Sequence, residues 1–277
     1  MQDSRSGCLD PAEMARRVRL DILEMIAAAG SGHPGGSFSA VEILVELFFN
    51  RMRIDPSDPE RDDRDRFVLS KGHACPALYS VMARRGYFDP SELVTLRKTG
   101  SRLQGHPDRL RLPCLDSSSG SLGQGFGVAA GLARGLSMLG LDSRVYCLLG
   151  DGELQEGCVW EAAACAAHAG LSNLTAIVDC NGIQLDGRVE DIQSVEPLAL
   201  RWQSFGWHAV PADGHSFRSL GSAFDEAESS GVPSVVLART VKGRGVSFME
   251  NTCAWHGGCP GADQLAEARR EILEGGR

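Results

Sequence analysis

The feature that most constrains the fold is an alternation of short apolar runs with longer stretches of helical periodicity. The predicted strands are residues 67–69, 146–149, 175–178, 208–210 and 235–238. The predicted helices are residues 10–29, about 40–50, 74–86, 122–140, 157–169, 194–205 and 216–230. Strands that alternate with helices predict an α/β fold, a doubly wound and mainly parallel sheet with helices on both faces. Asp10 is the expected N-cap of the first helix, and Gly30 is expected to end it.

Length and composition indicate one large domain, residues 1–277. The chain is 43% hydrophobic, enough for a substantial core, and it contains no internal repeat. A net charge of -8 gives no reason to expect nucleic acid or an anionic membrane as partner. No apolar run approaches a membrane span, and residues 1–13 lack the apolar core of a signal peptide. Nine cysteines without a CxxC motif indicate reduced thiols and a cytoplasmic protein.

Two polar residues follow neighbouring predicted strands within residues 150–187. Asp151 stands at the end of one strand, and Asn181 follows the end of the next. Ligands of open parallel sheets bind at these carboxyl ends. A carboxylate and an amide placed there can hold a hard cation through oxygen, and Gly150 and Gly152 leave room for a phosphate. The pattern therefore suits a magnesium diphosphate.

A second glycine-rich segment, GSLGQGFG, occupies residues 120–127 at the start of a predicted helix. Its glycines have two interpretations of about equal weight. They permit tight helix packing, or they form a loop whose amides face a cofactor at the helix N-terminus. The segment is neither a Walker A loop nor a dinucleotide-binding fingerprint, because the lysine and the glycine spacing of those motifs are missing.

Four of the seven histidines lie in loops beside glycine, within SGHPGG, SKGHAC, LQGHPD and AWHGG. Histidines in such loops are poor candidates for core packing and good ones for contacting a polar ligand. Joint use in one pocket is the favoured interpretation for His33, His73, His106 and His256. A structural role is favoured for His168, His208 and His215.

Two further groups of residues are ambiguous from sequence. Cys253, His256 and Cys259 offer three soft ligands, but a closed zinc site needs a fourth, so zinc is disfavoured. Glu153 and Glu161 are expected to be helix-start or solvent-facing charges, whereas Glu156 could face a subunit contact.

The motifs taken together identify a family resemblance. They are SGHPGGSFSAVEIL, DRFVLSKGHACPALYSVMARRGYF, GSRLQGHPD, GSLGQG, GDGELQEGCVWEAAACAAHAGLSNLTAIVDCNGIQLDG, SFGWHAVPADGH and TVKGRGVSFMENTCAWHGG. In this order, over residues 10–260, the chain resembles the thiamine diphosphate domain of transketolases. It is most similar to the N-terminal subunit of split, two-chain transketolases. The implied fold is the diphosphate-binding domain of that family.

The resemblance also implies a cofactor and its ligands. The cofactors would be thiamine diphosphate and Mg²⁺, for which Ca²⁺ or Mn²⁺ could substitute. The side chains of Asp151 and Asn181 and the carbonyl of Ile183 would bind the metal. The diphosphate and thiazolium would be contacted by Gly120, Ser121, Leu122, Gly123, Gly150, Gly152, Glu153, His73 and His256.

The resemblance assigns roles around the substrate as well. His73 and His256 would transfer protons, since imidazoles with a pKa near 6.5 do so at neutral pH. His33 and His106 would orient the donor. Glu156 would lie at the subunit interface, in a carboxylate network linking two cofactors.

The implied activity is transfer of a two-carbon ketol unit from a ketose to an aldose, with sugar or sugar phosphate substrates. In the family, a second domain supplies the glutamate that activates the cofactor, and this sequence contains no such domain. A separate pyrimidine-domain subunit is therefore the expected partner, in an α2β2 assembly. Two alternatives stay open: a subunit of another thiamine diphosphate enzyme, such as a 2-oxo acid decarboxylase, and a non-catalytic cofactor-binding subunit.

Overall fold

A computed structural model describes residues 10–275; the first nine residues, including Cys8, lie outside it. The strands are β1 (Arg66–Leu69), β2 (Val145–Gly150), β3 (Leu174–Cys180), β4 (Ile183–Gln184), β5 (Gly187–Arg188), β6 (His208–Asp213) and β7 (Ser234–Arg239). The helices are α1 (Pro11–Ala29), α2 (Pro34–Ser39), α3 (Val41–Val45), α4 (Cys75–Arg85), α5 (Gln124–Met138), α6 (Gly157–His168), α7 (Val189–Gln193), α8 (Leu198–Ser204), α9 (Phe217–Ser229) and α10 (Ala262–Leu273).

The main sheet has five parallel strands in the order β1-β2-β3-β7-β6. Because β7 inserts between β3 and β6, the direction in which strands are added reverses there. Open sheets bind ligands beside such a reversal, at the carboxyl ends of the strands. Strands β4 and β5 form a small antiparallel hairpin just beyond β3. The predicted doubly wound parallel sheet is confirmed.

Alternate residues of each strand enter two separate hydrophobic clusters. In β2, Tyr146 and Leu148 pack with α1, α4 and α9, whereas Cys147 and Leu149 pack with α5, α6 and α8. Strands that are apolar on both faces are typical of a parallel sheet covered by helices on each side. The five predicted strands and most predicted helices therefore have the expected places.

The ends of α1 show how local sequence shapes the elements. Pro11 occupies the first turn, and Gly30 closes the helix in the left-handed conformation with φ 66°. Asp10 stands at the N-cap position, but its side chain makes no capping hydrogen bond. The predicted helix at residues 40–50 divides into α3 and a π-helical turn, Glu46–Arg51.

Within residues 10–275, no helix is long and apolar enough to cross a membrane. The eight cysteines in this range are unpaired.

Candidate active site

Four strands deliver polar side chains to one edge of the sheet. Chain segments containing Lys71 and His73 follow β1, Asp151 follows β2, and Asn181 follows β3. Lys242 lies three residues beyond the end of β7. Because the strands are parallel and adjacent, all these groups meet at their carboxyl ends.

The side chain of Asp151 is held by two backbone amides, one in its own loop and one in the loop that follows β3. Its carboxylate accepts hydrogen bonds from Gly152 N at 2.8 Å and from Gly182 N at 2.6 Å. Burial and the nearby charge of Asp179 nevertheless raise the pKa of Asp151 to about 6. A buried carboxylate whose ionised form is disfavoured in this way is stabilised by a bound cation.

Asn181 and Ile183 add two more oxygens beside Asp151. The Asn181 side chain is oriented by two bonds: Nδ2 donates to Asp179 Oδ2 at 3.2 Å, and Oδ1 accepts from Ile183 N at 3.1 Å. The carbonyl of Ile183 accepts from Lys242 Nζ at 2.8 Å. Carboxylate, amide and carbonyl oxygens are the ligands that Mg²⁺ and Ca²⁺ prefer. No cluster of three His, Cys, Asp or Glu side chains suited to a metal occurs in residues 10–275, and this mixed oxygen set is of a different kind.

A buried ion pair lies beneath these loops. Lys71 Nζ donates to Asp179 Oδ2 and, at 3.1 Å, to the carbonyl of Gly36. Asp179 also accepts from Ser39 Oγ at 2.6 Å and from Thr240 Oγ1. Burial opposes ionisation of Asp179, but Lys71 and these donors outweigh it and hold its pKa below the usual value. The pair ties α2 and the ends of β1, β3 and β7 together.

Glu153 cross-links three segments instead of facing open space. Its carboxylate accepts from Ser70 Oγ, from Gly123 N at 2.7 Å and from Gly150 N at 3.0 Å. Burial raises its pKa. The residue is 3% exposed and both oxygens have donors from this chain. Glu153 therefore fixes the GSLGQG loop relative to the loop that contains Asp151, and its predicted direct contact with the cofactor stays a prediction.

Three of the four loop histidines form a triangle. The ring centroids of His33, His73 and His256 lie 5.2, 5.5 and 5.3 Å apart. Lys242 Nζ lies 2.9 Å from His256 Nδ1, so one ammonium contacts both the imidazole cluster and the Ile183 carbonyl. Close approach of the backbone makes this possible. A Cβ on Gly35 would lie 2.7 Å from the carbonyl oxygen of Trp255 and 3.0 Å from Lys242 Cγ.

The electrostatics keep these imidazoles neutral. Burial, aided by the cations Arg97 and Lys242, lowers the pKa of His33 to about 4. Burial and Lys242 lower the pKa of His256 to about 4 as well. Burial and Lys71 hold the pKa of His73 well below its ordinary value. The expectation of pKa values near 6.5 was wrong for His73 and His256, because the sequence did not show that their rings are buried or that lysines lie beside them.

His106 stands apart from the triangle. It is exposed, and its ring lies against Gly120, where a Cβ would be 3.7 Å away. Burial and Arg97 lower its pKa. Arg97 itself points toward His33, with Nη2 3.5 Å from Nδ1. His106 thus borders the same space through the loop that contains Gly120.

Sequence reasoning missed four residues of this site: Lys71, Arg97, Asp179 and Lys242. A signal was present for two of them. The chain has only three lysines, and two of those, Lys71 and Lys242, are nearly fully buried here. A lysine kept in a chain that otherwise uses arginine, beside glycine and histidine, indicates a need for a compact ammonium.

The remaining sequence candidates lie elsewhere or serve the scaffold. His215 Nδ1 contacts Glu42 Oε2 at 2.9 Å and its Nε2 accepts from Val241 N at 2.8 Å. His208 contacts Glu226 on the surface. Cys259 Sγ contacts the carbonyl of Ile26. Glu156 is exposed at the N-cap of α6.

Comparisons with known proteins agree with this geometry. Residues 11–273 match the family model described as "Transketolase, thiamine diphosphate binding domain". A 6-deoxy-6-sulfo-D-fructose transketolase subunit of a Clostridium species is 43% identical, over 90% of each chain. An apulose-4-phosphate transketolase subunit of Phocaeicola vulgatus is 37% identical, over 94% of this chain and 92% of that protein. Transketolase of Leishmania mexicana superposes with a TM-score of 0.92 at 29% identity.

These matches define the class of protein as a thiamine diphosphate-binding domain. The chain belongs to the transketolase family and corresponds to the N-terminal, cofactor-binding part of its members. It covers 41% of the Leishmania transketolase chain, whereas it spans nearly all of the two bacterial subunits.

Proposed function

We propose that this protein is the cofactor-binding subunit of a transketolase that transfers a two-carbon ketol unit together with a separate pyrimidine-domain subunit. The observation that carries the proposal is the position of Lys242. Its ammonium contacts the Ile183 carbonyl and His256 at once, so the oxygen ligands and the histidine triangle belong to one site. A hard-cation site joined to a cluster of neutral imidazoles is what a diphosphate cofactor and a polyhydroxylated substrate require.

The residues present fit a magnesium diphosphate. Asp151, Asn181 and the Ile183 carbonyl would bind Mg²⁺, or Ca²⁺ or Mn²⁺ in its place. The raised pKa of Asp151 supports this, since a cation would relieve the cost of its buried charge. Lys242 is well placed to offset phosphate charge. The backbone of Gly152 and of residues 120–123 would approach the cofactor closely.

When bound, thiamine diphosphate supplies an electron sink for the carbon–carbon bond that breaks in a ketose. The chain's own residues handle the protons. His73 and His256 would transfer protons, and both are neutral at pH 7 in the free chain. His256 Nδ1 accepts from Lys242, so its hydrogen lies on Nε2 and would be donated to a sugar oxygen. His33 and His106, whose pKa values Arg97 helps to lower, would orient the donor hydroxyls.

Two features support a second subunit. The two bacterial relatives that match over nearly their full length are both named as transketolase subunits. Glu156 is exposed where the starts of α5 and α6 meet, with its Cβ 3.0 Å from the Cβ position built on Gly123. Glu156 would then face the neighbouring subunit, in an α2β2 assembly that acts on sugars or sugar phosphates.

Calorimetry and an activity assay test this proposal. The chain should bind thiamine diphosphate only with Mg²⁺, and Asp151→Ala should weaken binding by at least about tenfold, as expected for loss of a charged ligand. His208→Gln is the control, since His208 lies on the surface away from the site. Turnover of a ketose should need an added pyrimidine-domain subunit. Robust transfer by the chain alone, preference for a 2-oxo acid, or full activity of Asp151→Ala in the assembled enzyme would each overturn the proposal.

A further inference from the structure

The side chain of Gln155 forms hydrogen bonds near both ends of a 12-residue segment, residues 182–193, that begins directly after Asn181. Gln155, at the end of the turn Gly152–Gln155, donates through Nε2 to Gln184 Oε1 at 2.6 Å. The same nitrogen donates to the carbonyl of Gln193 at 2.9 Å. In return, Gln184 Nε2 donates to Gln155 Oε1 at 3.2 Å. Gln155 thus contacts the segment near both of its ends.

The orientation of the two amides is determined by the network. The Gln193 carbonyl can only accept, so the amide nitrogen of Gln155 must face it. Gln184 also packs directly against the loop that contains Asp151, because its Cβ lies 3.0 Å from where a Cβ on Gly152 would be. The paired glutamines therefore join the Asp151 loop to the loop that follows Asn181.

Both glutamines are only half-buried. Buried polar groups must find partners for the fold to be stable, but half-exposed amides can bond to water at little cost. Their three hydrogen bonds therefore contribute chiefly to the order of the segment. That segment also includes the Ile183 carbonyl and the exposed Leu185 at the tip of the β4–β5 hairpin.

We propose that Gln155 and Gln184 are positioning residues that hold the Asn181–Ile183 metal-binding loop in its binding geometry before the cofactor arrives. This inference rests on the proposed function, since it assumes that the loop binds Mg²⁺ and the diphosphate. A preformed loop lowers the entropic cost of ordering ligands on binding. Losing the amide pair should thus weaken cofactor binding without removing any ligand.

A double-mutant cycle on the full chain tests the inference. Gln155→Met and Gln184→Met keep side-chain length and remove the hydrogen bonds. Gln155→Met removes all three hydrogen bonds and Gln184→Met removes two. Each should weaken the Kd for thiamine diphosphate at saturating Mg²⁺ about tenfold, because the segment must then be ordered on binding. The double variant should have about the same Kd as Gln155→Met alone, because the two residues act as a pair. Hydrogen exchange of amides 182–193 in the free chain should speed up, while the Tm stays unchanged.

Gln193→Ala is the matched control. It removes an amide side chain from the same segment, but only its backbone carbonyl bonds to Gln155, and that carbonyl remains. Its Kd should equal that of the wild type. Additive effects in the cycle, unchanged exchange in the segment, or wild-type affinity of both single variants would overturn the inference. A wild-type chain that binds no thiamine diphosphate with Mg²⁺ would instead contradict the proposed function.

Discussion

The chemistry of the candidate site depends on three imidazoles that are kept uncharged. His33, His73 and His256 lie within 5.5 Å of one another, and protonation of one would place a positive charge beside Lys71 and Lys242. Burial opposes protonation most strongly, and the lysines add to it. The rings are therefore neutral, the form that exchanges hydrogen bonds with hydroxyl groups, and the same two causes lower their basicity.

NMR titration of isotope-labelled histidine checks this. In the folded chain, the ring signals of His33 and His256 should keep their neutral positions from neutral pH to about pH 5 and change only near pH 4. In the urea-unfolded chain they should titrate at about 6.5. Lys242→Met should raise the pKa of His256, because it removes the nearest cation. A folded-state midpoint near the unfolded value would contradict the electrostatic account.

The convergence of Asp151, Asn181 and three of the loop histidines at one edge of the sheet could be predicted, because each stands in a glycine-flanked motif. Their pKa values could not, since these depend on where remote side chains are buried. Lys71 and Lys242 are 171 positions apart and meet only through the sheet order. The partners of Glu153 likewise come from three separate segments.

At the scale of elements, the start of α5 confirms the packing interpretation of the GSLGQG glycines, whereas contact of this loop with a cofactor stays a prediction. Gly123, with φ 79°, donates to Glu153 and thereby fixes its loop beside the loop that contains Asp151. Gly125 serves close packing, since a Cβ there would lie 2.7 Å from Ser70 Cα. The segment that contains Lys71 and His73 follows Ser70 directly, so the closeness of α5 to β1 sets where those side chains lie.

Gly125→Ala should therefore destabilise the chain. The added methyl meets backbone, which cannot rotate away, and overpacking of this kind costs about 1–3 kcal/mol. Gly221→Ala in α9 is the matched control. Its Cβ would make only an ordinary contact at 3.6 Å with Glu46, so higher helix propensity should stabilise by up to about 1 kcal/mol. Urea unfolding measures both, and equal effects of the two substitutions would contradict the packing argument.

Strands and long helices were predicted well because their apolar periodicity is strong. Helix α2 was not, since Pro34–Ser39 contains two glycines and follows a loop-like SGH sequence. Tertiary contacts form it: the carbonyl of Gly35 accepts from Gly243 N at 3.0 Å, and Ser39 bonds to Asp179. Helix α10 packs on the core that includes α1 through buried Ala268 and Ile272 and partly buried Leu265, too few apolar positions to show a clear period.

At the scale of the whole molecule, α5 presents an unusual outer face. Three glycines at four-residue spacing lie along it, Gly127, Gly131 and Gly135, and a Cβ on any of them would meet nothing within 4 Å. Packing within residues 10–275 therefore gives no reason for them, although each costs about 1 kcal/mol of helix stability relative to alanine. The same helix also carries two exposed apolar side chains, Val128 and Met138. Close approach of another subunit would account for this composition, and Glu156 lies at its edge.

Gly131→Arg separates assembly from folding. Arginine is a better helix former than glycine and the position has open space, so the free energy of unfolding of the chain should stay the same or rise. A long charged side chain among these glycines should abolish assembly, because burying an unpaired charge is costly.

Ser222→Arg on α9 is the control, since it adds the same charge to an exposed helix position beyond the opposite face of the sheet. Sedimentation of each variant, alone and with a pyrimidine-domain subunit, distinguishes the outcomes. Normal assembly of Gly131→Arg would show that the subunit contact lies elsewhere and would leave the three glycines without a physical explanation.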